Sequence, residues 1–300
     1  MRDAGREIIE GRSGSFVYPP PSAFLLIPFA LLPYELAAAI WLALILVSIP
    51  LTLLATGVRD WRCHAVTILA ASTLAVLGSG SLSAFLALGT ALLWKYRDRA
   101  ALAVVLVAAI VVAKLYLWPL LLWLLATRRP RTAGLGFATA IGLALIGWAI
   151  TGFAGLTNYP HRVGSVTSLE QGQSYSPIAL ALSLGAPLRV AQAIVLCAGV
   201  LLLAALVRTA RGPDGDRRSF ILAIAATFVF SPISWLHYFV LLAVPIGLAS
   251  PTLTPLWFVP LAFWAVPMKS DGQLWKIAVA AALTSVIVGW TSRARSVSRP

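Results

Sequence analysis

Two polar side chains sit where the sequence is otherwise apolar, and each could do chemistry. Lys114 lies between the runs 100–113 and 115–126. A cation at membrane depth is costly and marks a site by default. Its ammonium could hold a phosphate as a point charge. The plainer reading is that it snorkels to the interface. His237 lies in Ser231-Pro232-Ile233-Ser234-Trp235-Leu236-His237-Tyr238, again between apolar runs. An imidazole among aromatics could accept or donate a proton while Trp235 stacks on a sugar face. Alone, such a histidine is more often a satisfied interfacial group. A third set is looser. Residues 152–187 form the longest stretch that is not apolar, and they hold His161, Arg162, Glu170, Gln171, Gln173 and Tyr175. These could read sugar hydroxyls, with Arg162 on a phosphate, or they could be an ordinary solvated loop.

The elements that must position these groups are membrane helices. The chain of 300 residues is 60% hydrophobic and 11% charged, with mean hydropathy +0.89. Soluble domains carry about 25% charged residues, so the composition specifies an integral helical membrane protein. Residues 1–300 read as one such domain, with 152–187 as its long outer loop. The expected fold is all-α and polytopic, with about 10–11 apolar helices. Several of these are too short to cross fully, since a span needs about 20 residues. His64–Gly78 and Leu82–Trp94 meet at Gly78-Ser79-Gly80-Ser81, which suggests a hairpin of incomplete depth. The two cysteines, Cys63 and Cys197, are placed too differently to pair. No metal-ligand cluster, P-loop or dinucleotide fingerprint is present, and no cofactor is implied.

Ser15–Pro33, SFVYPPPSAFLLIPFALLP, is the most unusual stretch. Pro19, Pro20 and Pro21 exclude a helix interior there. The apolar run Ala23–Leu32 is about half a span and ends at Pro33. Irregular backbone near a membrane is tolerated where protein buries it or where it lines a wet cavity. The stretch is therefore a candidate cavity wall, or else a linker.

The net charge of +13 does not call for nucleic acid. Alternating the segments places fifteen of the 23 Lys and Arg in compact loops on one side, at 59–62, 95–99, 128–131, 208–218 and 293–299. The positive-inside rule puts those loops in the cytoplasm. The N-terminal segment, the 152–187 stretch and the SPISWLHY turn then share the outer face.

FVYPPP followed by a short apolar helix, ALLPYELAAAIW and a long span resembles glycosyltransferase family 87. SPISWLHY and QSYSPIALALSLG extend the likeness over most of the chain. The resemblance implies a GT-C architecture and a membrane mannosyltransferase. The donor would be a polyprenyl-phosphate sugar, and the acceptor a glycan or glycolipid. It also implies a lysine near Lys114 and a site-facing histidine at His237. Lys114, Arg162 and His161, with Glu170 and Gln173, would then hold the donor, and Tyr18 and Trp235 would wall the sugar. The location would be the bacterial inner membrane, among its lipids.

Such a transferase needs a carboxylate to take the acceptor's proton. In the family this is an aspartate in the first outer loop, after a first span that this sequence lacks. AGREIIEGRSGSFVYPPP matches the downstream part of that loop, which places the expected aspartate a few residues before Met1. Asp3 is the nearest candidate here, with Glu7 and Glu10 as alternatives. Two other readings compete: a transporter or flippase, whose sites also use short broken helices, and an inactive truncated homologue. Against transport, the chain shows no internal repeat, and its polar groups gather on one face.

Overall fold

The computed structural model describes residues 20–24, 26–153 and 155–294. Asp3, Tyr18 and the helical turn expected near Ala4–Glu10 lie outside the described residues. Every described element is helical. Each apolar segment of the sequence has its counterpart, and all-α polytopic architecture is what the chain adopts.

The Pro-rich stretch forms two short helices, α1 (Pro20–Phe24) and α2 (Ile27–Ala30), where one apolar helix was expected. Pro20 and Pro21 fit because the first turn needs neither their N–H nor another φ. Then come α3 (Tyr34–Thr56), α4 (Trp61–Leu69), α5 (Ala71–Ser79), α6 (Ser83–Tyr96), α7 (Ala100–Ala113), α8 (Pro119–Ala126) and α9 (Pro130–Ile150). Residues 152–187, expected as a loop, contain α10 (Tyr159–Glu170) and α11 (Pro177–Ser183). Both start on Pro at the first turn, and the Ser176 hydroxyl caps α11 by accepting from Ala179 N. The chain closes with α12 (Leu188–Thr209), α13 (Gly215–Phe230), a 3-10 turn Leu236–Leu242 running into α14 (Ala243–Ala249), a 3-10 stretch Pro255–Ala265, and α15 (Leu274–Arg293).

Length sorts these elements. The described residues hold four helices long and apolar enough to cross a membrane: α3, α9, α12 and α15. They lie at the periphery and keep apolar faces outward, such as Val47, Phe137 and Leu201. The short helices pack inside them. α13 is buried along nearly its whole length, between α12, α8 and α15. Apolar area drives little association inside lipid, so close packing at small residues matters more. A Cβ at Gly136 would run into Val107, and one at Gly199 into Phe230. These glycines let α9 meet α7 and α12 meet α13.

The segment expected as one short run over His64–Gly78 is two helices, α4 and α5, that meet at a 60° bend. Ala70 is extended there (φ −63°, ψ 138°). No proline or glycine causes the break. The carbonyls it frees are taken by other donors: Thr67 O by the Thr73 hydroxyl at 2.6 Å, and Leu69 O by the Trp264 indole at 3.0 Å. This substitution of donors is what makes a broken helix tolerable in lipid.

The basic loops meet at one end of the bundle. Asp216 accepts from Arg97 at 2.7 Å and from both terminal nitrogens of Arg129 at 3.0 Å, while Arg129 also holds Asp98 at 2.7 Å. Arg217 pairs with Asp214 and donates to Thr291 O and Ala294 O. Just before this network, α8 ends with Arg128 in the left-handed region (φ 63°). Glycine is the usual residue in such a cap, and a side chain there costs about 1 kcal/mol.

At the same end Asp60 caps α4 and ties it to the 250–254 turn. Its carboxylate accepts from the Arg62 side chain at 2.9 and 3.0 Å and from Leu253 N at 3.1 Å. The Arg62 hydrogen bond, aided by the backbone N–H groups, outweighs partial burial and holds the carboxyl well below the usual range. A depressed carboxyl stabilises the fold above its unfolded value near 4, and that contribution disappears only as pH falls through the lower folded value. Protection of the Leu253 amide against hydrogen exchange is therefore expected to persist from pH 7 to pH 5. Asp60→Asn should weaken it already at pH 7. Wild-type protection that titrates away between pH 7 and 5 would contradict the assignment.

Candidate functional site

At the opposite end, segments distant in sequence converge. α7 stops at Lys114, which is extended (φ −149°, ψ 108°), because Pro119 forces a restart after the 3-10 turn Leu115–Leu117. Lys114 is buried, 5% exposed. Its Nζ lies 3.6 Å from the centroid of the Tyr238 ring and 5.4 Å from that of Tyr116. The two tyrosines stack at 5.4 Å, 20° apart. A cation held this close to an aromatic face in a desolvated site gains about 2 kcal/mol. That contact seats Lys114 Nζ on the face of the Tyr238 ring.

Tyr238 comes from the turn that ends α13. Pro232 prevents the helix from continuing, and the Ser231 hydroxyl donates to Ile233 O at 2.5 Å. Trp235 is extended before the 3-10 turn begins. His237 meets Tyr238 edge-on at 4.8 Å. Lys114 and His237 thus both rest on one ring, although they stand far apart in the chain. His237 Nδ1 and Ser234 Oγ are buried, and neither has a hydrogen-bond partner among the described residues. Buried polar atoms are nearly always paired, and exceptions cluster where a ligand or water completes them. Two such atoms in one turn define a place for a polar group.

The 152–187 stretch braces this turn. Tyr175 N donates to Ser234 O at 2.7 Å, and Tyr175 Oη donates to Pro267 O at 2.5 Å. Ser270 N donates to Gln173 O at 2.9 Å, and the Ser270 hydroxyl to Ser174 O at 2.9 Å. Ser174, Ser176 and Ser270 are fully buried. Much of this polarity is therefore a lock between loops. Gln173 keeps its side chain exposed. Glu170 accepts from Lys269 Nζ at 3.0 Å, and that ammonium lies 4.9 Å from the Trp235 ring centroid. Glu170 and Trp235 are thereby joined through a lysine.

Of the residues expected from sequence, the structure brings Lys114 together with His237, and Glu170 with Trp235. His161 is exposed on α10 and Arg162 half-buried beside it. Among the described residues neither hydrogen-bonds to nor stacks on Lys114, His237 or Trp235. Three participants were not singled out by sequence: Tyr116, Tyr238 and Lys269. Each had a local signal, since Tyr116 is two residues from Lys114, Tyr238 adjoins His237, and Lys269 ends an apolar run.

The short helices at the N-terminal side close one flank. A Cβ at Gly147 of α9 would lie 2.6 Å from Pro21 Cδ, so α1 sits directly on α9. The Ser22 hydroxyl reaches the carbonyls of Val112 and Ala113, one residue from Lys114, at 3.5 Å. The Pro-rich stretch therefore adjoins the buried ammonium. Nearby, α2, α3 and the Gly80 turn enclose a cavity of about 290 Å³ lined by Phe29, Tyr34, Trp41 and Leu77. The Trp41 indole, donating to Gly80 O at 2.9 Å, pins the hairpin tip beside it.

The chain matches no curated protein and no solved structure. One family model does match, that of glycosyltransferase family 87, over residues 16–232. The matched region takes in the Pro-rich stretch, Lys114 and all of 152–187, and it stops at Pro232, five residues before His237. With well over half of the sequence covered, and with a multi-pass helical bundle that gathers those stretches at one end, the chain belongs to glycosyltransferase family 87, a family of membrane glycosyltransferases.

Proposed function

We propose that this glycosyltransferase moves a hexose, mannose first, from a polyprenyl-phosphate donor to a lipid-linked or envelope glycan. The observation that carries the reading is the pairing of the buried Lys114 ammonium with His237 on the Tyr238 ring. In this reading the donor phosphate lies on Lys114, and the sugar stacks near Trp235 with hydroxyls on His237 and Ser234. Glu170, Gln173, His161 and Arg162 would serve the donor's approach, and Tyr18 would take the role of a sugar wall with Trp235. The bond from the anomeric carbon to the phosphate oxygen breaks, and a bond to the acceptor oxygen forms. The acceptor's proton passes to a carboxylate of the N-terminal segment, Asp3 first, and polyprenyl phosphate leaves with the charge. A lipid-linked donor suits a site reached through short helices at the membrane edge. The architecture would be of GT-C type. The basic loops at the far end favour an outer-face site in a bacterial inner membrane.

The purified protein in nanodiscs should transfer from polyprenyl-phosphate mannose and not from a nucleotide sugar. His237→Gln should lower the rate by about 10–100-fold, in keeping with the loss of one polar contact to the reacting sugar. Transfer from a nucleotide sugar alone would overturn the reading.

A further inference from the structure

At the basic end lies a second cleft, of about 210 Å³, between the end of α8 and the end of α12. It is lined by Thr127, Arg128, Arg129, Arg211 and Asp216. Asp216 and Asp98 are both engaged by Arg97 and Arg129, so those four charges cancel. Arg128 and Arg211 remain. Both are exposed, and neither makes an ion pair among the described residues. The cleft is therefore doubly cationic.

Its backbone points the same way. Arg128 occupies the left-handed cap of α8, where glycine would be unstrained. An arginine held there at the expense of local stability is placed for its side chain. The surroundings then choose the occupant. Leu125 on α8 and Leu135 on α9, the two helices joined through the Thr127–Arg129 link that lines the cleft, are exposed, 53% and 59% accessible. A ligand with a phosphate at the arginines and hydrocarbon along those leucines fits both halves.

We propose that this cleft binds the phosphodiester headgroup of an anionic phospholipid, with acyl chains along Leu125 and Leu135. The site stands apart from the Lys114–His237 end and does not depend on the reaction performed there. Basic pockets between membrane helices on this side take such headgroups, and two arginines provide for double contact.

The test is native mass spectrometry of the intact protein in a neutral detergent, titrated with phosphatidylglycerol, phosphatidylcholine or inorganic phosphate. Phosphatidylglycerol should be retained roughly 25-fold better than phosphatidylcholine, about fivefold for each arginine. Millimolar inorganic phosphate should not compete. Arg211→Gln should reduce the preference by about fivefold. Arg128→Gly should do the same while leaving the lipid-free protein at least as heat-stable, which separates loss of the site from loss of fold. Equal retention of the two lipids, or a preference unchanged in both variants, would overturn the proposal. Competition by inorganic phosphate without any lipid preference would also overturn it, by assigning the cleft to a free anion.

Discussion

Lys114→Gln is expected to lower kcat/KM for transfer from a polyprenyl-phosphate sugar by about 100-fold, near the upper end of what a charge-assisted contact contributes. The loss should fall mainly on kcat. In the proposed reaction, negative charge grows on the departing phosphate oxygen as the glycosidic bond breaks. A fixed ammonium therefore stabilises the transition state more than the bound donor. Its fixing depends on the ring beneath it, which gives a second, graded result. Tyr238→Phe keeps the aromatic face and should retain most activity. Tyr238→Leu removes that face and should approach the Lys114 variant. Thermal unfolding of each variant checks that the fold survives. Full activity in folded Lys114→Gln would remove the lysine from the reaction.

Trp123→Ala is expected to cost about 4 kcal/mol of stability, the range found when a large buried aromatic is truncated. Trp123 is fully buried against Phe220, at 4.6 Å, and Trp94, at 6.0 Å, and those two rings also touch each other at 5.0 Å. Its indole donates to Asp216 O at 3.0 Å. That one side chain ties α8 to the start of α13 and to the arginine network beside it. Trp123→Phe keeps most of the packing and loses the N–H, so about 1 kcal/mol should remain lost. Apparent melting in detergent, read for both variants, gives the comparison. A loss under 1 kcal/mol for the alanine variant would mean that the stack does not anchor this end.

Hydropathy alone delivered the all-α membrane fold, because long apolar runs separated by arginines admit few other readings. It also placed Lys114 and His237, since a titratable group between apolar segments stands out by composition. Tyr116 and Tyr238 escaped for the opposite reason. With 7 Tyr and 11 Trp in the chain, an aromatic at a membrane boundary is unremarkable until its ring is seen beneath a cation. Within 152–187, α10 was hidden because it has no buried face to impose periodicity. The mutual pairing of Asp98 and Asp216 with Arg97 and Arg129 required three loops to meet, and spacing along one loop carries no trace of that. The bend at Ala70 was equally silent, because one of the donors that makes it tolerable lies elsewhere in the chain.

That bend sets a schedule for biogenesis. The Leu69 carbonyl is satisfied by Trp264, 195 residues later. At a synthesis rate of about 5–20 residues per second, the elbow waits on the order of 10–40 s before its donor leaves the ribosome. Until then α4 and α5 must stay straight, remain near water or borrow another donor. The Leu69–Trp264 hydrogen bond is thus among the last contacts of assembly to form, made by the C-terminal third on a segment synthesised long before.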